Sequence, residues 1–537
     1  MKKAFINGKF LTPNGYADML VCEDEKITYV GEKDEALSEG VETVDLQGKF
    51  VLPGFNDSHM HFIDSGASLR KLDLRDAKSI EDVMRMFREY VSKRTFAPGQ
   101  WIEAFNWNDF NWTIKRLPTR KDLDEISTEI PIVALRVCGH VCIVNSKALE
   151  MLGLDKNTPQ PNDGGRFDLD EEGNPNGVLH EMFSRVSALV PSPDKDAIKE
   201  MILAAGEVAS SKGLTSLQTD DLESIPTDDR TIIIEAYEEL VKEGKLKVRV
   251  NEQCVLTSVD MIKDFHKKGY HHGYGNDYFR VGPLKIIGDG SLGGRTAWLS
   301  EGYDDDKNNH GIAVYPNDQD LFDLVEEAHV NNMPVAVHCI GDAASKQVLD
   351  ALDYVNEKYP DIRLRDGIVH AQILTKDICE RMAKNKVLAY LQPVFIQSDR
   401  GMAEDRLGLD RLKYSYCWKT LREMGVPVSM STDCPVEDMY PLENIYSVVT
   451  GLSIYDKELP PWNEEECISV EDAVEMYTYE SAYCSYEEDK KGTLEVGKLA
   501  DMTVLDKNIF EVPKEEIIDL NIEMTIVGGE VVYERKI

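Results

Sequence analysis

Two histidines separated by one residue, His59 and His61, are the first feature of the chain that suggests chemistry. They close the stretch V-L-P-G-F-N-D-S-H-M-H-F, residues 51–62, which contains a Pro-Gly turn. If the end of this stretch is extended, side chains two residues apart lie on one face, so both imidazoles project side by side. Such a pair suits a divalent metal ion, but a surface His-x-His without a metal fits the pattern equally well.

Further candidate ligands stand at the ends of other short apolar segments. His338 follows P-V-A-V, His370 follows G-I-V, and Asp433 follows P-V-S-M-S-T. Alone, each has an ordinary structural explanation, because a strand-end histidine is commonly a hydrogen-bonded core residue and an aspartate after Ser-Thr commonly forms a turn. Their recurrence at corresponding places predicts a shared metal site of histidine and carboxylate ligands.

Lys285 is a candidate of another kind, because it lies in the apolar segment G-P-L-K-I-I-G, residues 282–288. Burying an ammonium group without a partner is costly. Two interpretations stay open. The lysine either reaches solvent or pairs with Asp289, or it is a neutral amine that has reacted with carbon dioxide. The resulting carbamate would be an anion able to bridge two cations.

A regular pattern from about residue 196 onward predicts the scaffold that positions these residues. Apolar segments alternate with helix-like periodicity, which is typical of parallel βα units. The eight segments predicted as strands are residues 50–61, 214–219, 246–255, 281–287, 334–338, 367–370, 387–391 and 427–431. Eight βα units predict a TIM-type barrel, whose active site lies at the carboxyl ends of the strands, where the candidates stand.

The regions that flank this pattern predict two further parts. Short β segments at both ends, with hairpins around Asn7-Gly8 and Gly528-Gly529, predict one small β domain built from residues 1–52 and 486–537. Residues 53–485 then form the barrel. An insertion over about residues 63–195 is predicted to be an α+β subdomain that covers the carboxyl ends of the strands.

Composition narrows the choice of partners. The chain has 537 residues, of which 42% are hydrophobic and 29% charged, as in ordinary globular proteins. Its net charge of −37 disfavours nucleic acid and anionic membranes, because both are polyanions. No apolar run approaches a membrane span, and the first residues turn polar at once. Ten cysteines in so long a chain do not form a dense disulfide framework. These features together predict a cytoplasmic protein with reduced thiols.

Together the motifs resemble the amidohydrolase superfamily. The resemblance rests on P-G-F-N-D-S-H-M-H, on strand-end His338 and His370, on S-T-D-C-P around Asp433 and on the C-terminal G-T-L-E-V-G-K-L-A-D-M-T-V-L-D. The segments L-K-I-I-G-D-G-S-L-G-G-R-T-A, residues 284–297, and G-H-V-C-I-V-N-S-K-A-L, residues 139–149, are similar to one branch. That branch contains the N-substituted formamide deformylase and YtcJ-like proteins of amidohydrolase family 3.

The resemblance implies a distorted (β/α)8 barrel, a composite β-sandwich from the two termini and an insertion after the first strand. It also implies one or two divalent metal ions, expected to be zinc, although such ligands accept iron, manganese or nickel as well. Lys285 matches a lysine that is carboxylated in binuclear members. Gly341 stands where deaminases of the superfamily carry a glutamate, which argues against deamination of aminopurines or cytosine. The residues at metal-ligand positions are His59, His61, His338, His370 and Asp433.

The expected function is metal-dependent hydrolysis of a C–N bond in a small-molecule amide, with an N-substituted formamide-like compound as one candidate. Asp433 is expected to be the general base. His140 is expected to donate a hydrogen bond to the developing oxyanion, unless it is a structural residue of the insertion. Trp107, Trp112 and Arg295 are expected to line the pocket, although aromatic residues in an insertion also form its own small core.

Two other functions stay open at this point: a non-catalytic metal-binding barrel, and a metal-dependent isomerase or decarboxylase on the same scaffold. The intact set of candidate ligands argues against the first. The sequence does not reveal the oligomeric state, for which a homodimer is the commonest arrangement.

Overall fold

A computed structural model describes residues 2–96, 99–109, 112, 116–138, 140–162, 164–225, 227, 229–456 and 458–536. The chain divides into two compact units. The larger unit consists of residues 1–65 and 198–537, and the smaller unit of residues 66–197. Among the described residues, no helix combines the length and the apolar character needed to cross a membrane.

The larger unit contains a parallel barrel whose strands match the predicted segments. Most of their side chains are buried, as expected when helices cover a parallel sheet. Two backbone hydrogen bonds, from Asp433 N to His59 O (3.0 Å) and from His61 N to Cys434 O (2.8 Å), link the last strand region to the first and nearly close the barrel. The predicted α/β barrel is therefore confirmed. The eight strands, counted over the described ranges, are Phe55–Met60, Leu214–Thr219, Arg249–Val255, Phe279–Ile287, Val335–Cys339, Gly367–His370, Leu388–Leu391 and Val428–Met430.

The first predicted strand, residues 50–61, is in fact two strands that meet at Gly54. Phe50–Pro53 belongs to the sheet of the chain ends, and Phe55–Met60 belongs to the barrel. A Cβ atom at position 54 would lie 2.1 Å from Oγ1 of Thr215 on the second barrel strand. Glycine therefore permits the chain to pass from one sheet to the other at a close approach of two strands.

Helices alternate with the barrel strands, as the helix-like periodicity between the predicted strands indicated. Thr231–Lys242 follows the second barrel strand, and Asp318–Val330 follows the fourth. Shorter helical turns lie at Asp221–Glu223, Pro393–Phe395, Glu464–Glu466 and Lys514–Asp519. The remaining helices are Glu35–Ser38, Phe62–Arg70, Lys195–Ser211, Val259–Lys267, Asp342–Lys358, Lys376–Asn385, Ile396–Leu407, Leu409–Leu412, Trp418–Glu423, Pro441–Thr450, Val470–Met476 and Tyr479–Cys484.

Strands from both chain ends share one further sheet in the larger unit. Met502–Leu505 pairs antiparallel with Phe50–Pro53, so the N-terminal and C-terminal segments meet there. Boundaries at residues 52 and 486 remain our proposal for how this unit divides into domains. In the described part of the chain, the sheet order is Glu530–Glu534, Ile522–Val527, Met502–Leu505, Phe50–Pro53, Lys2–Thr12, Gly15–Glu23 and Lys26–Gly31, with Glu42–Asp45 beside Lys2–Thr12.

The predicted hairpin around Asn7-Gly8 is wrong. Lys2–Thr12 is one strand, and its register against Gly15–Glu23 shifts between Ile6 and Phe10. Asn7 has a positive φ of 55°. The Asn-Gly pair therefore forms a bulge, in which extra residues bend the strand without reversing it. The hairpin turn lies instead between Thr12 and Gly15.

The smaller unit, residues 66–197, has its own mixed sheet and its own apolar cores. Its longest helix, Ile80–Ser92, begins where the Ser79 hydroxyl accepts a hydrogen bond from Asp82 N (3.1 Å). The other helices are Arg120–Asp124, Ser146–Met151 and Phe183–Ser187. Over its described residues, the strand order is Arg166–Leu169, Pro175–His180, Val141–Val144, Ile132–Arg136, Ile102–Trp107 and Leu72–Asp73.

Candidate metal centre

His59 and His61 both turn one ring nitrogen toward Asp433. Nε2 of His59 lies 3.4 Å, and Nε2 of His61 3.1 Å, from Oδ1 of Asp433. The opposite nitrogens are held by other side chains. Nδ1 of His59 is 2.8 Å from Oε1 of Gln253, and Nδ1 of His61 is 2.5 Å from Oδ1 of Asp220. These outer partners fix the ring orientations and leave both Nε2 atoms directed at one carboxylate oxygen.

His338 and His370 follow the same pattern at the ends of the fifth and sixth barrel strands. Nε2 of His338 lies 3.2 Å from the carbonyl oxygen of Gly290, and Nδ1 of His370 lies 2.9 Å from Oε1 of Gln392. Their other nitrogens, Nδ1 of His338 and Nε2 of His370, approach each other to 3.0 Å. The ring centroid of His370 is 5.9 Å from that of His59, so the imidazoles form one contiguous cluster.

Asp433 sits at the centre of this cluster in a strained backbone conformation. Its φ is +57°, a value that is costly for a non-glycine residue and frequent at functional sites. The residue is only 7% exposed, yet its Oδ1 accepts no hydrogen bond of acceptable geometry from the residues the structure describes. A buried carboxylate oxygen in this state needs a partner, and a cation held by the facing imidazoles would supply one.

The protonation preferences of the cluster also suit a cation. Burial, followed by the charge of Lys285, lowers the pKa of His338 to about 4, so this ring stays neutral and can offer a lone pair. Burial by itself lowers the pKa of His61, but the carboxylates of Asp220 and Asp433 outweigh it and raise the pKa to about 10. Positive charge is thus stabilised between these two carboxylates. Ligand atoms of His59, His61 and Asp433 lie within 4.8 Å of one another, and this nitrogen and oxygen set fits a divalent metal ion.

Lys285 lies beside this cluster, but not with the partner weighed from the sequence. It is 2% exposed, and its Nζ lies 2.8 Å from Oδ2 of Asp220 and 3.1 Å from Nε2 of His59. The expectations of a path to solvent or a pair with Asp289 are both wrong. The carboxylate of Asp289 instead accepts backbone N–H groups, including those of Ile340 (2.9 Å) and Gly341 (2.7 Å). Carboxylation of Lys285 stays a prediction.

Comparison with known proteins agrees with this geometry. The model of the amidohydrolase family matches residues 42–533, nearly the whole chain. The chain belongs to the amidohydrolase family. Membership places this amidohydrolase among hydrolases, as its barrel and strand-end cluster also suggest.

Individual relatives cover the amidohydrolase over almost its full length. The family protein YtcJ of Bacillus subtilis (strain 168) is 34% identical over 510 residues, which are 95% of this chain and 93% of that protein. The N-substituted formamide deformylase of Arthrobacter pascens is 25% identical and covers 97% and 96% of the two chains. The crystal structure of a metal-dependent hydrolase from Pyrococcus furiosus is 31% identical, with a TM-score of 0.78 and coverage of 95% and 100%.

Three of the predicted site residues of this amidohydrolase lie in the smaller unit. His140 is exposed and pairs through Nδ1 with the carboxylate of Glu181 at 3.0 Å, which raises its pKa. Trp107 and Trp112 are buried in the core of that unit. Their indole N–H groups donate to backbone carbonyls of the same unit, at 2.9 Å and 3.0 Å. This placement fits the alternative that the tryptophans form a local core, and all three site roles stay predictions.

Arg295 lies in the larger unit, in the loop after the fourth barrel strand. Its guanidinium binds both carboxylate oxygens of Asp305, at 3.2 Å and 2.7 Å. Its φ is +52°, so the backbone here adopts a conformation that most residues avoid. A role for Arg295 in substrate binding stays a prediction.

Sequence reasoning missed Asp220, Gln253 and Gln392. Asp220 directly follows a predicted strand, residues 214–219, so the rule that selected His338 and His370 would have found it. Gln253 and Gln392 carry no such signal, because a glutamine in or after a buried strand is commonly a hydrogen-bonded core residue. Only the contacts with His59 and His370 reveal that these amides orient the cluster.

Proposed function

We propose that this amidohydrolase hydrolyses the C–N bond of a small-molecule amide at a divalent metal centre held by the strand-end cluster. The observation that carries the proposal is the cluster of four imidazoles together with the Asp433 carboxylate, which faces His59 and His61. Each imidazole has one nitrogen within 3.2 Å of an outer partner and the other directed into the cluster. A similar protein from Arthrobacter pascens is an N-substituted formamide deformylase, which supports an N-substituted formamide-like compound as a candidate substrate.

The proposed residues of the centre are His59, His61, His338, His370 and Asp433, with Lys285 beside them. Zinc is the metal we expect, one or two ions per chain, although iron, manganese and nickel suit the same donors. When bound, such an ion lowers the pKa of a water molecule and polarises the carbonyl of the substrate. The protein contributes four imidazoles, three of which have a pKa lowered by burial, and a buried carboxylate.

Asp433 is the proposed general base. Burial by itself raises its pKa, but contacts with His59 and His61 outweigh burial and hold the pKa well below the usual range. The carboxylate is therefore ionised at neutral pH and can accept a proton from the attacking water. The water oxygen bonds to the carbonyl carbon, the C–N bond breaks, and the proton passes to the leaving nitrogen. The products are a carboxylic acid and an amine. His140 remains the proposed donor to the developing oxyanion.

The test measures metal content and amide hydrolysis on the same preparations. Wild-type protein is expected to contain a divalent metal and to release an amine and an acid from N-substituted formamides or other amides. Removing the metal with a chelator should abolish turnover, and adding zinc should restore it. Amide hydrolysis that persists without any metal, or a product that shows isomerisation or decarboxylation, would contradict the proposal.

Two variants separate the roles within the proposed centre. Asp433→Asn is expected to lower turnover by about 10²-fold or more, while weakening metal binding less, because the histidines remain. Lys285→Ala is expected to lower metal content as well as turnover if a carbamate bridges two ions, and short carboxylic acids should partly restore activity.

Lys491→Ala is the matched control for Lys285→Ala. Lys491 is also buried, and it pairs with Glu487 at 2.8 Å instead of a residue of the cluster. The control should retain its metal even if it loses stability. If Lys285→Ala keeps full metal content and near-normal turnover, the carbamate is wrong. Normal turnover by Asp433→Asn would mean that another group is the base.

A further inference from the structure

Asp220 connects two residues of the proposed metal centre. It directly follows the second barrel strand, Leu214–Thr219, and is only 5% exposed. Its Oδ1 lies 2.5 Å from Nδ1 of His61, and its Oδ2 lies 2.8 Å from Nζ of Lys285. One carboxylate thus holds side chains from the first and the fourth strands.

The contact with His61 sets which nitrogen of that ring is free. A carboxylate 2.5 Å from Nδ1 favours a proton on that nitrogen, so a metal ion would displace the proton of Nε2, the nitrogen that faces Asp433 at 3.1 Å. His59 and His370 are held in the same way by Gln253 and Gln392, but these partners are neutral amides. A charged partner also makes the ring a stronger ligand, so Asp220 affects His61 more than an amide would.

The contact with Lys285 fixes the second residue against the same centre. Nζ of Lys285 also lies 3.1 Å from Nε2 of His59, so its position between Asp220 and His59 is defined from both sides. The long lysine side chain has many rotamers, and two short polar contacts restrict it to one of them. Removing the Asp220 carboxylate would therefore release two groups of the centre together.

We propose that Asp220 is the positioning residue of the metal centre, acting through His61 and Lys285 without binding the metal itself. This inference rests on the proposed metal-dependent function. It assigns a role to a residue outside the proposed set of metal ligands.

The neighbouring Asp221 shows what a structural aspartate at this place does instead. Its carboxylate accepts hydrogen bonds from Ile63 N (2.8 Å), the Thr219 hydroxyl (2.8 Å) and the Tyr237 hydroxyl (2.5 Å). None of these groups belongs to the cluster. Asp221 is also buried and is one residue away, so Asp221→Asn is a matched control for Asp220→Asn.

The experiment titrates Zn²⁺ into metal-free full-length protein and measures its affinity by competition with a chromophoric chelator. Asp220→Asn is expected to weaken Zn²⁺ binding by about 10–100-fold, the usual effect of losing an outer partner of a ligand. Asp221→Asn is expected to bind Zn²⁺ within about threefold of the wild type, even if it melts at a lower temperature.

A double-variant comparison tests whether Asp220 acts through His61. If it does, the affinity loss in His61→Ala/Asp220→Asn is smaller than the product of the two single losses by at least about threefold. A purely structural Asp220 predicts independent, multiplicative losses. Both experiments measure Zn²⁺ affinity instead of turnover, so their results do not depend on catalysis.

The outcomes distinguish the two proposals. If wild-type protein binds Zn²⁺ and Asp220→Asn binds it equally well, or if the losses multiply, the role of Asp220 is overturned and the metal centre stands. If wild-type protein binds no divalent metal, the proposed function fails and this inference fails with it. Should Asp220→Asn not fold, a crystal structure of the metal-loaded wild type decides. Asp220 must then lie within about 3.2 Å of Nδ1 of His61 and outside the metal's ligand shell.

Discussion

A buried ion pair joins the barrel to the sheet formed by the chain ends, and breaking it should destabilise the larger unit. Arg249, on the third barrel strand, is 1% exposed. Its guanidinium donates to both oxygens of Asp501, at 2.7 Å and 3.0 Å, and to the carbonyl oxygen of Asp277 at 3.0 Å. Asp501 also accepts a hydrogen bond from Gly528 N at 2.8 Å. We predict that Asp501→Asn lowers the free energy of unfolding substantially.

The size of this effect follows from the burial of both partners. Removing one partner of a buried, hydrogen-bonded ion pair costs about 3–5 kcal/mol, because the other charge is left without compensation. Asparagine keeps one oxygen that can accept from Arg249, and Oε2 of Glu25 remains 3.3 Å from the guanidinium. We therefore expect Asp501→Asn to lower the free energy of unfolding by about 3 kcal/mol, the lower end of this range. A loss of that size lowers the folding equilibrium constant by roughly a hundredfold or more.

Urea unfolding followed by circular dichroism measures this difference, provided that the slopes of the variants agree. The control is Glu25→Gln, which removes the partly exposed partner of Arg249 and should cost at most about 1 kcal/mol. Replacing both buried charges, in Arg249→Met/Asp501→Leu, should recover much of the lost stability. If Asp501→Asn is no less stable than the Glu25 control, the pair does not hold the barrel and the terminal sheet together.

Three further predictions concern the same unit. Gly54→Ala places a Cβ atom 2.1 Å from Oγ1 of Thr215 and should cost about 1–3 kcal/mol in thermal unfolding. Gly206→Ala is the control, because its new Cβ meets no described atom within 4 Å apart from its own helix backbone and chain neighbours, and equal melting of both variants would refute the clash. Burial raises the pKa of Asp399 to about 6, so between about pH 4 and pH 6 the folded state binds more protons than the unfolded state. Stability therefore falls as pH rises through this window, by at most about 3 kcal/mol, and Asp399→Asn should remove that fall from urea titrations at pH 4.5 and 7. If the free energy of unfolding depends on pH in the same way in Asp399→Asn and in the wild type, this prediction is wrong. Deleting residues 500–537 should expose the edge of the N-terminal partner strand and cause aggregation measurable by light scattering, whereas a soluble, fully active truncation would count against a shared sheet.

Much of the barrel could be predicted because its signals are local. Strand segments such as residues 214–219 and 367–370 are short and lie between helix-like stretches, and they appear in the structure with the same bounds. The candidate ligands His338, His370 and Asp433 could be selected by position, because the carboxyl ends of parallel strands meet at one face of a barrel. The Asn7-Gly8 pair failed as a signal, because the same residue types that form a hairpin turn also form a bulge.

The sequence by itself determined which residues stand at the strand ends, because the bounds of a strand depend on residues close to it in the sequence. Only the tertiary structure decided which side chains hold them. Gln253, which orients His59, is 194 residues away along the chain, and Asp220, which pairs with Lys285, is 65 residues away. Such partners come together only when the strands assemble side by side, and no local pattern encodes that choice. For the same reason, the nitrogen of each imidazole that faces the cluster and the partner of the buried lysine became visible only in the folded barrel.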